Sequence, residues 1–183
     1  QLGVMDGSLN MTELALRLSG YANAVSMRHG EVSREMFPGH RVEAITNGVH
    51  AEAWIAKPIA TLYDRHIPDW RRDNCYLRHA IGFPLQQVRE AHAEAKRELL
   101  QQVRWLTGSQ LDDPVFTLGC ARRATAYKRG DLLFTDLERL KSIARQVGPL
   151  QLIYAGKAHP RDEGGKAIIR RIFEAAAALA NDV

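Results

Sequence analysis

Cysteine is scarce in this 183-residue chain: Cys75 and Cys120 stand far apart, in no pattern of a disulfide framework or a zinc site, which points to a reducing compartment. No run approaches the roughly 20 apolar residues that cross a bilayer. The N-terminus lacks the basic, apolar, small-residue order of a signal peptide. Together these place the chain in the cytoplasm, away from membranes. Aromatic residues make up 7% and are dispersed, giving no evident platform for stacking sugars. The seven histidines show no ligand spacing on any one helix, which argues against a metal. Neither a nucleophile elbow nor a Cys-His pairing is visible. What is present is 45% hydrophobic content, sufficient for the core of one good-sized domain or of parts of two.

Acidic residues are missing from one place in particular. "GCARRATAYKRG", residues 119–130, holds Arg122, Arg123, Lys128 and Arg129 with no acid among them. The whole chain carries a net charge of +4, so everything outside this stretch is balanced. A concentrated basic loop on a neutral chain suits a compact anion site and argues against a surface that coats nucleic acid.

The elements around the loop follow from periodicity. Asn10 and Glu13 predict an N-cap with a capping box, and Leu14, Leu18, Tyr21 and Val25 predict one helix over about 11–27. A short helix over 31–36 is expected to stop at Pro38-Gly39. Val42, Ala44 and Thr46 alternate as an extended segment, delivering Asn47 into an Asn-Gly tight turn. Residues 57–82 read as short helices and connections. Leu85, Val88, Ala95, Leu99 and Val103 predict the buried face of a long surface helix over 84–105. "TGSQLDDP" then breaks the chain.

Beyond the break, "VFTLGC" reads as a short buried strand, "GDLLFTDLERLKSIARQ" as a helix, "PLQLIYAG" as a second strand and "GGKAIIRRIFEAAAALA" as a second helix. This order predicts right-handed crossovers on a parallel sheet, the start of a doubly wound α/β domain. Both the early onset of helix at the N-terminus and the small number of strands suggest an excerpt of a longer protein. The basic loop falls at the carboxyl end of the first strand, where α/β sheets bind ligands. Arginine forks, a lysine and the start of the following helix can all meet phosphate there, and two pairs of cations could serve two phosphate groups. A solvated basic turn is the plain alternative. "YAGKAHPRDEGGK" is a second strand-to-loop junction, with Gly156 permitting close approach and Lys157 supplying charge; it is neither a Walker loop nor a dinucleotide fingerprint.

Taken in order and spacing, "NMTELALRLSGYANAVSMRHGEVSREMFPG", "ITNGVHAEAW", "LGCARRATAYKRGDLLFTDLERL" and "QLIYAGKAHPRDEGGKAIIRRI" resemble the middle of the α-glucan phosphorylases, the glycogen, starch and maltodextrin phosphorylase family, most closely its bacterial branch. The resemblance implies part of a two-domain glycosyltransferase B fold. Residues 1–107 would be the end of the N-terminal domain and crossover helices, and residues 108–183 the start of the Rossmann-like C-terminal domain. It also implies pyridoxal 5'-phosphate as cofactor, with inorganic phosphate and an α-1,4-glucan as substrates, in a cytoplasmic parent protein that could be a homo-oligomer. Carried over by position, Arg122 would face the cofactor phosphate, Arg123 would grip the substrate phosphate, and Lys128 would lie between the two; Arg123 and Lys128 are the expected catalytic residues. Tyr127 and Arg129 complete the "YKR" signature. Asn47 would bond the terminal glucose, Trp54 would pack near that pocket, and Tyr127 and Trp54 are counted with the cofactor's surroundings. Asn23, Val25 and His29 match a helix passing under the site.

Cys120, Ala124 and Gly130 depart from the family's usual residues at packing positions beside these charges. The lysine that holds the cofactor as a Schiff base, the glycine-rich loop of the N-terminal domain and an upstream catalytic-site histidine have no counterpart here, so the chain alone is expected to be inactive. Two other readings are a nucleotide-sugar glycosyltransferase of the same architecture, with the loop binding a diphosphate, and a non-catalytic glucan-binding module.

Overall fold

The computed structural model describes residues 3–5 and 7–179. Helices and short parallel sheets make the chain α/β. It divides into two compact units, one comprising the residues up to Ile55 together with Asp69–Cys75, the other comprising Ala56–Pro68 and the residues from Tyr76 onward.

The first unit opens on a small hairpin, β1 (Val4–Met5) antiparallel to β2 (Ser8–Leu9), followed by α1 (Met11–Leu18). Asn10 caps α1 as expected, its side chain accepting from the N–H groups of Thr12 and Glu13 at 3.0 Å each. The second half of the capping box is not formed. The Glu13 carboxylate, nearly buried, instead accepts from Arg17 Nε at 2.6 Å and bonds His40 Nε2 at 3.1 Å, and these two partners hold its pKa below the usual value. The Asn10 N–H donates to the Gly3 carbonyl at 2.7 Å.

The single helix expected over 11–27 does not form. α1 ends at Leu18, where Ser19 Oγ donates back to the Ala15 carbonyl at 2.6 Å, and a new helix, α2 (Met27–Met36), starts on the Ser26 cap. Between them lies β3 (Asn23–Ala24), parallel to β4 (Glu43–Ala44). Ser19-Gly20 is a poor helix continuation, and Ser26 offers its hydroxyl to a backbone N–H, so local polar capping outweighs the apolar period that Tyr21 and Val25 extend. Both of those side chains are exposed. α2 also begins four residues before the expected Glu31. It crosses the strands at Gly30, where an added Cβ would lie 3.2 Å from Ala44 Cβ.

Asn47-Gly48 does not make the expected left-handed turn. Neither residue has a positive φ; the segment stays extended, with the Asn47 N–H donating to the Val25 carbonyl at 3.0 Å. Pairing to an extended neighbour decides the conformation here, against the local preference of the dipeptide. The chain continues into the single turn α3 (Ala51–Trp54), capped by His50 Nδ1. Trp70 is fully buried, with the Arg71 guanidinium 4.6 Å from its ring centroid.

In the second unit, α4 (Lys57–His66) packs on α5 (Leu85–Thr107), with Leu62 and Ala91 buried, and a 3-10 stretch (Asn74–Gly82) precedes α5. Gly108, with φ 75°, caps α5. The buried positions on α5 are Ala91 and Leu100, whereas the expected Leu85 and Leu99 are exposed. Val88, Ala95 and Val103 of the expected face are half-buried. The Lys96 ammonium, on α5, donates to the carbonyls of Asp113 and Val115, which lead into β5.

β5 (Phe116–Ala121) and β6 (Leu150–Ala155) pair in parallel, Phe116 against Leu150 through Ala121 against Ala155, with α6 (Leu137–Val147) between them in sequence and α7 (Glu163–Leu179) after them. The strand-helix-strand-helix order read from the sequence is present. Two details differ. α6 starts at Leu137 rather than at Gly130, because a 3-10 turn (Leu132–Phe134) intervenes and Asp136 caps the helix through the Arg139 N–H at 2.9 Å. β5, expected to be buried, leaves Phe116 64% and Leu118 37% exposed, since a parallel strand is buried only when both sheet faces are covered. Ala180, at the end of the expected last helix, lies outside the described residues.

Candidate functional site

The loop after β5 is held by backbone before any side chain enters the argument. The Arg122 N–H donates to the Ala155 carbonyl and the Ala124 N–H to the Lys157 carbonyl, each at 3.0 Å, so parallel pairing continues past the ends of both strands. Glycine is required opposite. A Cβ on Gly156 would collide with the Arg122 carbonyl oxygen, and one on Gly165 with that of Ala124. The close approach that Gly156 permits is therefore made by the basic loop itself. At its centre the Thr125 hydroxyl is buried with no hydrogen-bond partner among the described residues.

The loop then turns through a 3-10 segment, Ala126–Lys128, into Arg129 at φ 47° and ψ 49°, a left-handed conformation that costs a non-glycine residue about 1–2 kcal/mol. α7 supports the far side. A Cβ on Gly130 would sit 3.6 Å from Ile168, an ordinary contact, and Ala124 is buried. Asp131 accepts from Arg171 Nε at 2.9 Å and Nη2 at 2.6 Å, which holds its carboxyl below its ordinary pKa. A carboxylate whose folded pKa is lowered stabilises the fold above its unfolded value, near 3.9, and loses that contribution as pH falls through the lower folded value. Because Arg171 is about half exposed, Asp131→Asn is expected to cost only about 0.5 kcal/mol at pH 6, a difference that shrinks as pH falls below about 4. Urea midpoints across that range measure it; a cost independent of pH would contradict the pairing.

Many basic groups elsewhere are paired: Arg17 with Glu13, Arg28 with Glu31, Arg41 with Glu43, Lys166 with Glu163. Among the described residues, no carboxylate pairs with Arg122, Arg123, Lys128 or Arg129. Arg122, Lys128 and Arg129 line a cleft of about 840 Å³ beside β5, whose other walls include Tyr154 and the first turns of α6. Burial raises the pKa of the Tyr154 phenol, whose ring packs 5.2 Å from Phe134. Lys128 Nζ lies 5.7 Å from the centroid of the Tyr127 ring, which is itself mostly exposed. Arg123 and Tyr127 do not line this cleft; Arg123 is exposed at the strand exit.

Arg139 also lines the cleft, a residue that the reading of the loop missed. Its signal was its place in the first turn after the Asp136 cap, hidden by the expectation that the helix began at Gly130.

Asn47 and Trp54 belong to the other unit. Asn47 is exposed at the end of the extended segment, and Trp54 is 82% exposed on α3. His29 has a local task, its Nδ1 accepting the Val25 N–H at 3.2 Å. Asn23 and Val25 lie in and beside β3, not on a helix.

No family model matches the chain. It is 37% identical to a maltodextrin phosphorylase of Thermococcus litoralis, over 94% of this chain and 24% of that protein. It is 39% identical to a glycogen phosphorylase of Aquifex aeolicus, over 90% of this chain and 28% of that protein. A glycogen phosphorylase of Mycobacterium tuberculosis is 34% identical over 93% of this chain and 23% of its own length. The chain thus spans about a quarter of the length of the relatives it matches. No helix among the described residues is long and apolar enough to cross a membrane.

Proposed function

From the premise that this chain is homologous to a segment of the α-glucan phosphorylases, we propose that it is part of an enzyme that phosphorolyses α-1,4-glucans, and that the loop 119–130 supplies the cations of its phosphate site. In that reaction an oxygen of inorganic phosphate replaces the glycosidic oxygen at C1 of the terminal glucose. The departing C4 oxygen takes a proton, and α-glucose 1-phosphate leaves with retention. The observation that carries the proposal is a loop, braced by Gly156, Gly165 and α7, whose cations Arg122, Arg123, Lys128 and Arg129 have no carboxylate partner among the described residues, three of them, Arg122, Lys128 and Arg129, lining one cleft.

The same cations fit the phosphate end of pyridoxal 5'-phosphate, with Arg122 and Lys128 as the residues that would hold it and Tyr127 and Trp54 in its surroundings. When bound, that phosphate supplies a proton relay beside the substrate phosphate. No lysine of this chain matches the cofactor's attachment motif, so the aldehyde end belongs to a part of the parent outside these residues. Two unit charges of one sign about 4 Å apart repel by about 4 kcal/mol at an effective dielectric near 20. Fixed cations aimed at both anions offset that repulsion without reorganising during reaction. On this reading Arg123 would grip the substrate phosphate, Lys128 would lie between the two anions, and Asn47 would bond the terminal glucose. The domain boundary after residue 107, the cytoplasmic location and the glycosyltransferase B architecture belong to the same proposal.

The test is phosphate saturation kinetics on the parent protein. Arg123→Ala is expected to raise the KM for phosphate about tenfold or more, the weight of one or two charge-assisted hydrogen bonds, with the KM for glucan unchanged. An unaltered phosphate dependence would sink the assignment of Arg123. Turnover of UDP- or ADP-glucose in place of phosphate would favour the nucleotide-sugar transferase instead.

A further inference from the structure

The connection between α5 and β5, residues 108–115, is where glycine, two aspartates and proline break the sequence, and such a composition marks a flexible joint. Its first part fits that expectation: Gly108 closes α5 in a left-handed conformation and the chain leaves the helix. Its second part does not. Gln151, on β6, is buried, and its carboxamide reaches the backbone of Asp112. Oε1 accepts the Asp112 N–H, while Nε2 donates to the Asp112 carbonyl at 2.8 Å and to Thr117 Oγ1 at 3.0 Å. The side chain stands in for a neighbouring strand, taking both backbone groups of one residue.

The other side is held from α5. The Lys96 ammonium donates to the carbonyls of Asp113 and Val115, the second at 2.6 Å. The Thr117 hydroxyl donates to the same Val115 carbonyl at 3.0 Å, and the Val115 N–H donates to the Asp112 carbonyl at 3.3 Å. Thr117 is also the residue that pairs with Gln151 in the β5–β6 register. The bonds therefore run without a gap from Lys96 through Val115, Thr117 and Gln151 to Asp112, joining α5 to both strands. These groups are part-buried, so opening one bond leaves a polar atom poorly compensated by water, and the network holds or opens as a unit. Pro114 adds a fixed φ in the middle of the stretch. Arg97 contributes only a half-exposed ion pair to Asp113 at 3.5 Å, which is worth little.

We propose that residues 112–115 are a rigid strap, with Gln151 and Lys96 as its two locks, and that α5 and the sheet carrying the basic loop consequently move as one body. Residues 108–111 can flex, but Lys96 lies on α5 beyond them, so their flexing does not release the helix from the sheet. The domain boundary proposed after residue 107 is then a boundary without a hinge. The inference does not depend on the reaction proposed above.

Hydrogen exchange of the parent protein, read residue by residue, tests it. The Asp112 and Val115 amides are expected to exchange at least about 100-fold more slowly than in an unstructured chain. Gln151→Met and Lys96→Met keep the length of the side chain and remove its bonds. Each should accelerate these two amides about tenfold or more, while the Arg122 and Ala124 amides at the far end of the sheet change less than about twofold. Gln102→Met, on the exposed surface of α5, should change none of them. If the Gln151 variant does not fold, Lys96→Met reads the same network from the helix side. Wild-type amides at the unstructured rate, or protection that survives both substitutions, overturns the inference. Acceleration of equal size at Arg122 and Ala124 overturns it too, since the two side chains would then support the fold at large and not this connection.

Discussion

Replacing Lys128 by alanine in the parent protein is expected to lower the turnover of glucan phosphorolysis by about 10²–10³-fold, with little change in the KM for glucan. The size follows from where the charge sits. Lys128 lines the cleft in the short 3-10 turn, next to the left-handed Arg129, and has no carboxylate partner among the described residues. A cation held in place between two anions stabilises charge in the transition state more than in the ground state, so its removal falls on kcat. Single-turnover and steady-state rates with saturating maltodextrin separate the two effects. A rise in the glucan KM with kcat unchanged would show that Lys128 serves sugar binding instead.

The second large effect is structural. Gly156→Ala is expected to destabilise the chain by about 2 kcal/mol, within the range seen when a packed interior is overfilled. The new Cβ meets the Arg122 carbonyl oxygen, a backbone atom that cannot swing aside as a side chain would, and Arg122 is the first residue of the basic loop. The loop must move or the pairing of Arg122 N–H to the Ala155 carbonyl must open. Gly82→Ala is the control, since an added Cβ there meets nothing within 4 Å. Urea unfolding of the three chains measures the difference; equal midpoints for Gly156→Ala and wild type would remove the glycine bracing from the account.

The second half of the chain was the more legible. Apolar runs of strand length, separated by an amphipathic helix and closed by glycine, describe β5, α6 and β6 because each run is short enough to be only a strand and the connection long enough for a crossover. Gly108 ended α5 as a left-handed cap, a position where glycine's freedom is the physical reason for its presence. The basic loop could be placed at a strand exit from the sequence alone.

What was hidden depended on tertiary partners. Tyr21 and Val25 continue the period of Leu14 and Leu18, and nothing local announces that β4 will pair with the segment before Val25. On α5, Leu100 is buried and Leu99 exposed, and the Lys96 ammonium finds two carbonyls before β5, contacts that the helical period does not announce. Gly156 reads from the sequence as a glycine that permits close approach and Gly165 as part of the opening of the last helix, and their bracing role appears only when the carbonyls of Arg122 and Ala124 are seen against them. Arg139 escaped notice because one misplaced helix start moved it from the cleft wall to mid-helix.

The central claim is that this chain carries the phosphate grip of a glucan-phosphorolysing enzyme. Phosphorus NMR of the parent protein with maltodextrin and inorganic phosphate tests it most directly. The account predicts that the phosphate resonance is replaced by that of α-glucose 1-phosphate, with one glucose lost from the glucan for each phosphate consumed. A phosphate resonance that stays unchanged while the glucan shortens, or glucan turnover seen only with a nucleotide sugar, would contradict it.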